Sequence, residues 1–176
     1  MPTPNLVSLS VFGAALIVDA RYASANNVLG RPLYDSAELF LLPAAIASLQ
    51  RAVDRLAPQG LKLKVWDAYR PQSAQEALWE RFPDPAFVTP PEVVSPHTRG
   101  CAIDLTLVQA SGAELPMPTA FDHFGPEAHT DYPDLPAAVL ANRAKLATAM
   151  VEAGFEPIPT EWWHFHLPNW RDLPAL

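Results

Sequence analysis

Cysteine is all but missing from this chain: Cys101 is the single thiol in 176 residues. One thiol excludes an intrachain disulfide framework, so stability has to come from core packing and any bound metal. Basic clusters are missing as well. The 12 Lys and Arg are outnumbered by 19 Asp and Glu, the formal net charge is −7, and the basic residues gather in no one stretch. Partners that offer a phosphate backbone or an anionic membrane select for a basic face, so neither nucleic acid nor a membrane is expected as a partner. Long apolar runs are also absent. The most apolar stretch, Leu6 to Val18, is shorter than the roughly 18 residues a bilayer span requires. No Lys or Arg precedes it, as one would in a signal peptide, and it runs directly into Asp19-Ala20-Arg21-Tyr22. A soluble, cytoplasmic protein is the expectation. No Gly-rich phosphate loop is present, which argues against a doubly wound nucleotide-binding fold.

What is abundant is proline, 20 residues where average usage would give about nine. The prolines punctuate loops such as Phe82 to Pro91 and Leu115 to Pro118, so regular elements must lie between them. Hydrophobic residues at 49% and charged residues at 18% describe a globular chain, and its length suits one domain spanning residues 1–176. Leu39, Leu42, Ile46, Leu49, Val53 and Leu56 recur at helical spacing and predict a helix over Ser36 to Leu56, kinked or started late by Pro43. Leu61 to Trp66 alternates as a half-buried strand should, and Arg70 follows its end. A second helix is predicted over Ser73 to Phe82 and a short buried strand over Cys101 to Val108. A third helix is predicted over Pro136 to Gly154, with Leu140, Leu146, Met150 and Val151 facing inward and Gly154 as its stop. An aromatic strand over Glu161 to Leu167 completes the order. The expected class is α+β: one domain with a small central, mainly antiparallel sheet flanked by helices.

Two segments carry chemistry. In Ser95-Pro96-His97-Thr98-Arg99-Gly100-Cys101-Ala102-Ile103-Asp104 a loop delivers an imidazole and the following strand a carboxylate, a pair suited to Zn²⁺. Gly100 between them lets the backbone turn tightly or lie close to the site. Glu161-Trp162-Trp163-His164 offers a second imidazole and a carboxylate. On a flat strand Glu161 and His164 would face opposite ways, so a bulge or bend is required to aim both at one ion. Given that bend, His97, Asp104 and His164 make three ligands and leave a fourth position for water, with Glu161 near enough to take its proton. Each segment alone reads equally well as surface polar residues or an aromatic core strand; together they supply what metal-assisted hydrolysis needs.

Ser-x-His-x-x-Gly-x-Ala-x-Asp at Ser95 to Asp104 and Glu-Trp-Trp-His at Glu161 to His164 resemble the D-alanyl-D-alanine dipeptidase family of zinc D,D-peptidases. Asp19-Ala20-Arg21-Tyr22-Ala23-Ser24 and Trp66-Asp67-Ala68-Tyr69-Arg70-Pro71 are similar to that family's blocks in the same order, so the resemblance spans nearly the whole chain. It implies His97, Asp104 and His164 as ligands of one zinc ion, with Glu161 as the base that later protonates the leaving amine. It implies Arg70 as the cation that stabilises the anionic oxygen of the tetrahedral intermediate, in place of a merely structural ion pair with Asp67 or Asp19. Ser95 and Asp122 match positions that hold the substrate's free ammonium group, which would restrict the enzyme to a small D,D-dipeptide. Tyr22 and Asn27 fall in the N-terminal block, bordering the pocket or packing beside it. Two departures stand out: the loop between Arg70 and His97 is shorter than in resistance-type members, which implies a more open pocket, and Cys101 stands where serine is common. Strand parity turns Cys101 away from Asp104, so a buried, inert thiol is expected. His123, His129 and His166 carry no assigned role. Two other readings stay open at this point, a D,D-carboxypeptidase acting on longer cell-wall peptides and a non-catalytic zinc-stabilised binding module.

Overall fold

The computed structural model describes residues 5–176, and its organising element is a five-stranded sheet. β1 (Val7–Ser8) pairs with β3 (Phe40–Leu41) in a separate two-stranded ribbon. The larger sheet runs β2 (Leu16–Val18), β4 (Leu61–Asp67), β5 (Ala102–Gln109), β7 (Glu161–His166), β6 (Glu156–Ile158). Only β2 and β4 are parallel; every other neighbouring pair is antiparallel. The mainly antiparallel α+β domain expected from the sequence is therefore what is found. The apolar stretch Leu6 to Val18 is spent on β1, a 3₁₀ segment and β2, and no helix among the described residues is long and apolar enough to cross a membrane.

Three α-helices accompany the sheet: α1 (Pro43–Leu56), α2 (Gln72–Arg81) and α3 (Ala137–Glu152). Pro43 occupies the first turn of α1, where its missing N–H is no loss and its fixed φ is already helical. The predicted helix thus starts late, and the residues ahead of it become β3 because Leu39 and Leu41 are needed in the core. Residues Ala45, Leu49, Ala52 and Leu56 of α1 and Leu146, Ala149 and Met150 of α3 pack against Leu63, Val65, Ile103, Leu105, Leu107 and Phe165 of the sheet. Val151 is a correction: it was expected inside, but it is 49% exposed, and Val139 and Ala149 fill the inner face instead. The reason is angular, because Met150 faces the sheet and its chain neighbour points about 100° away. Gly154 closes α3 as expected, with φ +99°.

Alternation divides β5 cleanly. Ile103, Leu105 and Leu107 meet the helices, while Ala102, Asp104 and Thr106 face the other way. That second face is covered by α2 and the loops around it, where Tyr22, Leu78 and Val88 form a smaller apolar cluster with Phe82, Phe87, Phe121 and Phe124. Two irregularities tune this face. β4 carries one extra residue between Val65 and Asp67, so that Val65 opposes Leu105 yet Asp67 opposes Asp104. Strict alternation would have turned Asp67 to the helix side with Leu63 and Val65; the bulge brings it round to Asp104. The β6–β7 register slips further, Pro157 opposing Phe165 while Ile158 opposes Glu161 where unbroken pairing would bring His164.

Candidate metal centre

Asp104 and His164 are directly paired across β5 and β7, so their side chains leave the sheet side by side. His97 reaches the same point from the loop before β5, a loop turned by Gly100 at φ +68°. A Cβ on Gly100 would come within 2.8 Å of Leu6 Cδ2, so the Leu6 side chain would have to shift to admit one. The three residues bring their candidate donor atoms together, the two imidazoles meeting different oxygens of the Asp104 carboxylate. His164 Nδ1 is 3.0 Å from Asp104 Oδ1, His97 Nε2 is 3.1 Å from His164 Nδ1, and His97 Nε2 is 3.3 Å from Asp104 Oδ2. A tetrahedral ion with bonds of about 2.0–2.1 Å sets its ligands roughly 3.3 Å apart, so the spacing fits such an ion. The imidazole protons agree with it too. His97 Nδ1–H donates to the Ala68 carbonyl at 2.7 Å, which leaves the Nε2 lone pair facing the centre. All three residues are buried. Burial opposes ionisation of Asp104, but the charge and hydrogen bonds of His97 and those of His164 hold its carboxyl well below the usual carboxylate range.

The surroundings are polarised with equal care. Glu161 Oε2 lies 3.9 Å from His164 Nδ1, brought there by the slipped start of β7 that the sequence required. Burial, reinforced by the charges of Asp104 and Asp122 and opposed by Arg70, raises the Glu161 carboxyl well above its ordinary value. A carboxyl so raised is suited to exchanging protons near neutral pH. Arg70 is gripped on three sides: Nε donates to Asp67 Oδ2 at 2.9 Å, Nη1 to Gln75 Oε1 at 3.0 Å and Nη2 to Asp104 Oδ2 at 3.4 Å. Its guanidinium carbon sits 5.1 Å from the centroid of the Tyr22 ring. The Tyr22 hydroxyl in turn donates to Asp122 Oδ2 at 2.8 Å. Asp122 is the one non-glycine residue with positive φ among the described residues, at +59°, a conformation Asp tolerates better than most. Burial pushes its carboxyl up to about 7. His97, Asp104 and His164, together with Glu161, Arg70, Asp122, Ser95 and Tyr22, line one cavity of about 130 Å³, walled on its apolar side by Leu78, Phe87, Val88 and Phe124.

The sequence profile of the peptidase M15 family, described as D-ala-D-ala dipeptidase, matches residues 3–172. The chain belongs to that family. Relatives from three organisms agree. A D-alanyl-D-alanine dipeptidase of Escherichia coli (strain K12) is 40% identical over 174 residues, covering 99% of this chain and 90% of the relative. Proteins of the same description from Streptomyces coelicolor and Enterococcus faecium are 33% and 32% identical, over 85% and 89% of this chain and 84% and 86% of theirs. The chain is thus an enzyme, a peptidase.

Within this peptidase the residues singled out from the sequence converge, with differences of detail. The ion pair weighed against a working role for Arg70 does exist, with Asp67, but it coexists with Arg70 lining the cavity; Asp19 pairs with Arg21 and Lys64 instead. Ser95 lines the cavity while its hydroxyl accepts from the Thr98 amide at 3.1 Å, so it also ties the loop that carries His97. Tyr22 is a wall of the site, whereas Asn27 closes a turn through bonds to Arg21, Ser24, Leu29 and Arg31 and does not line it. Cys101 is fully buried and donates to the Pro96 carbonyl; burial pushes its thiol up to about 12. Two residues that bear on the site, Gln75 and His166, escaped sequence reasoning, and Asp67 was foreseen as a partner of Arg70 but not as a neighbour of Asp104. Asp67 depends on a bulge that leaves no mark in the residue pattern. Gln75 is one of several polar residues in α2. His166 was open to parity, since it stands two residues beyond His164 on the same strand face.

Proposed function

We propose that this peptidase is a zinc-dependent D,D-dipeptidase that hydrolyses D-alanyl-D-alanine to free D-alanine, with one zinc ion held by His97, Asp104 and His164. The observation that carries the reading is the buried cluster of His97, Asp104 and His164, with contacts of 3.0, 3.1 and 3.3 Å among its nitrogens and carboxylate oxygens, beside a buried carboxylate that takes no part in it. When bound, zinc would supply Lewis-acid polarisation of the scissile carbonyl and acidify water at the open position. Glu161 takes the proton of the attacking water and returns it to the departing amine. Arg70, held rigid by Asp67, Gln75 and Asp104, presents its guanidinium to the negative charge that develops on the carbonyl oxygen. A cation fixed in advance costs nothing to reorient as the charge forms.

Asp122, aimed by Tyr22 and helped by Ser95, receives the free ammonium group of the substrate. Support for a dipeptide comes from the size of the cavity, about 130 Å³, small against the roughly 300–1,000 Å³ of pockets that take larger ligands. Purified protein loaded with one equivalent of zinc is expected to release D-alanine from D-Ala-D-Ala and to leave the N-acetylated dipeptide intact. Cleavage of N-blocked or pentapeptide substrates at a similar rate would replace this reading with a D,D-carboxypeptidase. Zinc binding without any hydrolysis would replace it with a binding module.

A further inference from the structure

The two histidines of the centre are anchored differently, and one anchor is unusual. His97 rests its far N–H on a backbone carbonyl. The far nitrogen of His164, Nε2, points at another imidazole: it lies 3.2 Å from Nδ1 of His166. From this contact we propose that His166 is a positioning residue for the metal, accepting the Nε2–H of His164 and so fixing the tautomer that turns the His164 Nδ1 lone pair toward the ion. The proposal rests on the reading of His97, Asp104 and His164 as metal ligands.

The geometry leaves little choice of proton placement. A neutral imidazole that offers Nδ1 to a metal carries its proton on Nε2. That N–H then needs an acceptor, because a buried donor left unpaired costs about 1–3 kcal/mol. His166 Nδ1 is the acceptor in reach, and accepting there puts the proton of His166 on its own Nε2, which faces Glu156 Oε2 at 4.0 Å. Ring packing keeps the arrangement in place. The His166 and His164 centroids are 5.4 Å apart, and Trp170 stands edge-on to His166 at 6.0 Å. His166 opposes both Ala102 on β5 and Glu156 on β6, so its backbone is held from both sides. Metal-bound imidazoles commonly lean on a carboxylate or carbonyl; here a second imidazole fills that place, and the carboxylate of Glu156 lies behind it.

The test compares zinc affinity, read by competition with a chromogenic chelator, for wild type, His166→Phe and His166→Asn. Phenylalanine keeps the ring and removes the acceptor, whereas the Oδ1 of asparagine sits close to where Nδ1 was. Expected is a roughly 10–100-fold loss of zinc affinity in the phenylalanine variant, the usual consequence of deleting such an outer partner, and recovery of most of it with asparagine. Equal affinities for wild type and His166→Phe would overturn the proposal, as would equal weakening by both substitutions. A second measurement needs no variant: long-range ¹⁵N–¹H NMR of the zinc-loaded wild type should find the proton on Nε2 in both His164 and His166, and an Nδ1–H on His166 would refute the proposed bond. Failure of wild type to take up zinc would bring down the reading of the centre itself, and this proposal with it. Tight binding by wild type and by His166→Phe alike would remove this proposal alone.

Discussion

Replacing Asp122 with asparagine should strengthen the fold and weaken the enzyme. Asparagine is as much at home as aspartate at φ +59°, and its Oδ1 can still accept from the Tyr22 hydroxyl, so the substitution changes charge and little else. Burial raises the Asp122 carboxyl from its ordinary 3.8 to about 7, a displacement of about three pH units. At about 1.4 kcal/mol per unit this is roughly 4 kcal/mol of folding free energy withheld at alkaline pH, cut to about 2 kcal/mol because the side chain is only half-buried and water screens it. The folded carboxyl binds its proton more tightly than the unfolded one. Stability of the wild type therefore falls as pH rises from about 4 to about 7 and levels off above. Asp122→Asn escapes this penalty. Its advantage should vanish near pH 4, grow through pH 7 and reach about 4–8 °C in Tm at pH 8. The assay is thermal unfolding across that pH range on metal-free protein, since a bound dication would pull the carboxyl back down. On zinc-loaded enzyme the same variant should raise KM for D-Ala-D-Ala roughly 10–100-fold, the loss of one charge-assisted hydrogen bond. A Tm difference that is independent of pH, or that favours the wild type at pH 8, would refute the reasoning.

Other outcomes follow from the same geometry. Glu161→Gln should abolish D-alanine release while zinc content by atomic absorption stays at one per chain, because Glu161 is not among the three donors. Arg70→Lys keeps the charge but cannot reproduce the hold on Asp67, Gln75 and Asp104; kcat should fall roughly 10²–10³-fold with KM little changed, as measured by steady-state kinetics on the dipeptide. Gly100→Ala forces a side chain into φ +68° and against Leu6, and chemical denaturation should show a loss of about 1–3 kcal/mol. Cys101, with its thiol pushed up to about 12, should resist alkylation at pH 8 in the native protein and react once denaturant unfolds it, followed by mass spectrometry.

Much of the architecture was legible because it is written in long periods. Leu61, Leu63 and Val65 alternate over a full strand, and the apolar positions of α1 recur over four turns, so those elements stand out from a single sequence. Strands of two or three residues hold no period to detect. β3 hid inside a helical pattern because Leu39 and Leu42 happen to sit at the right spacing, and β2 hid inside an apolar run. The centre was legible through residue types: His97, Asp104, His164 and Glu161 are rare enough in such company that chemistry selects them, and the need to aim Glu161 beside His164 foretold a bend in β7. Asp67 was not legible as a partner of Asp104, since its facing depends on the length of β4 relative to β5. His166 could have been found by counting two along from His164, but a histidine beside aromatic residues suggests packing before it suggests support for a ligand.

The bulge in β4 gives the site a dependence on arithmetic. Everything from Asp67 to Gln75 is aimed by one surplus residue, so the identity of the side chains there matters no more than their number. A single-residue deletion between Val65 and Asp67 would leave every proposed catalytic group in the chain yet turn the tether of Arg70 toward the helices. The same deletion in the proline-rich loop at Phe82 to Pro91 would act differently, by moving the cavity wall that Phe87 and Val88 supply while leaving the tether of Arg70 aimed. Length variation among sequences of this kind should accordingly be forbidden at the end of β4, a reading frame kept by the sheet rather than by the gene.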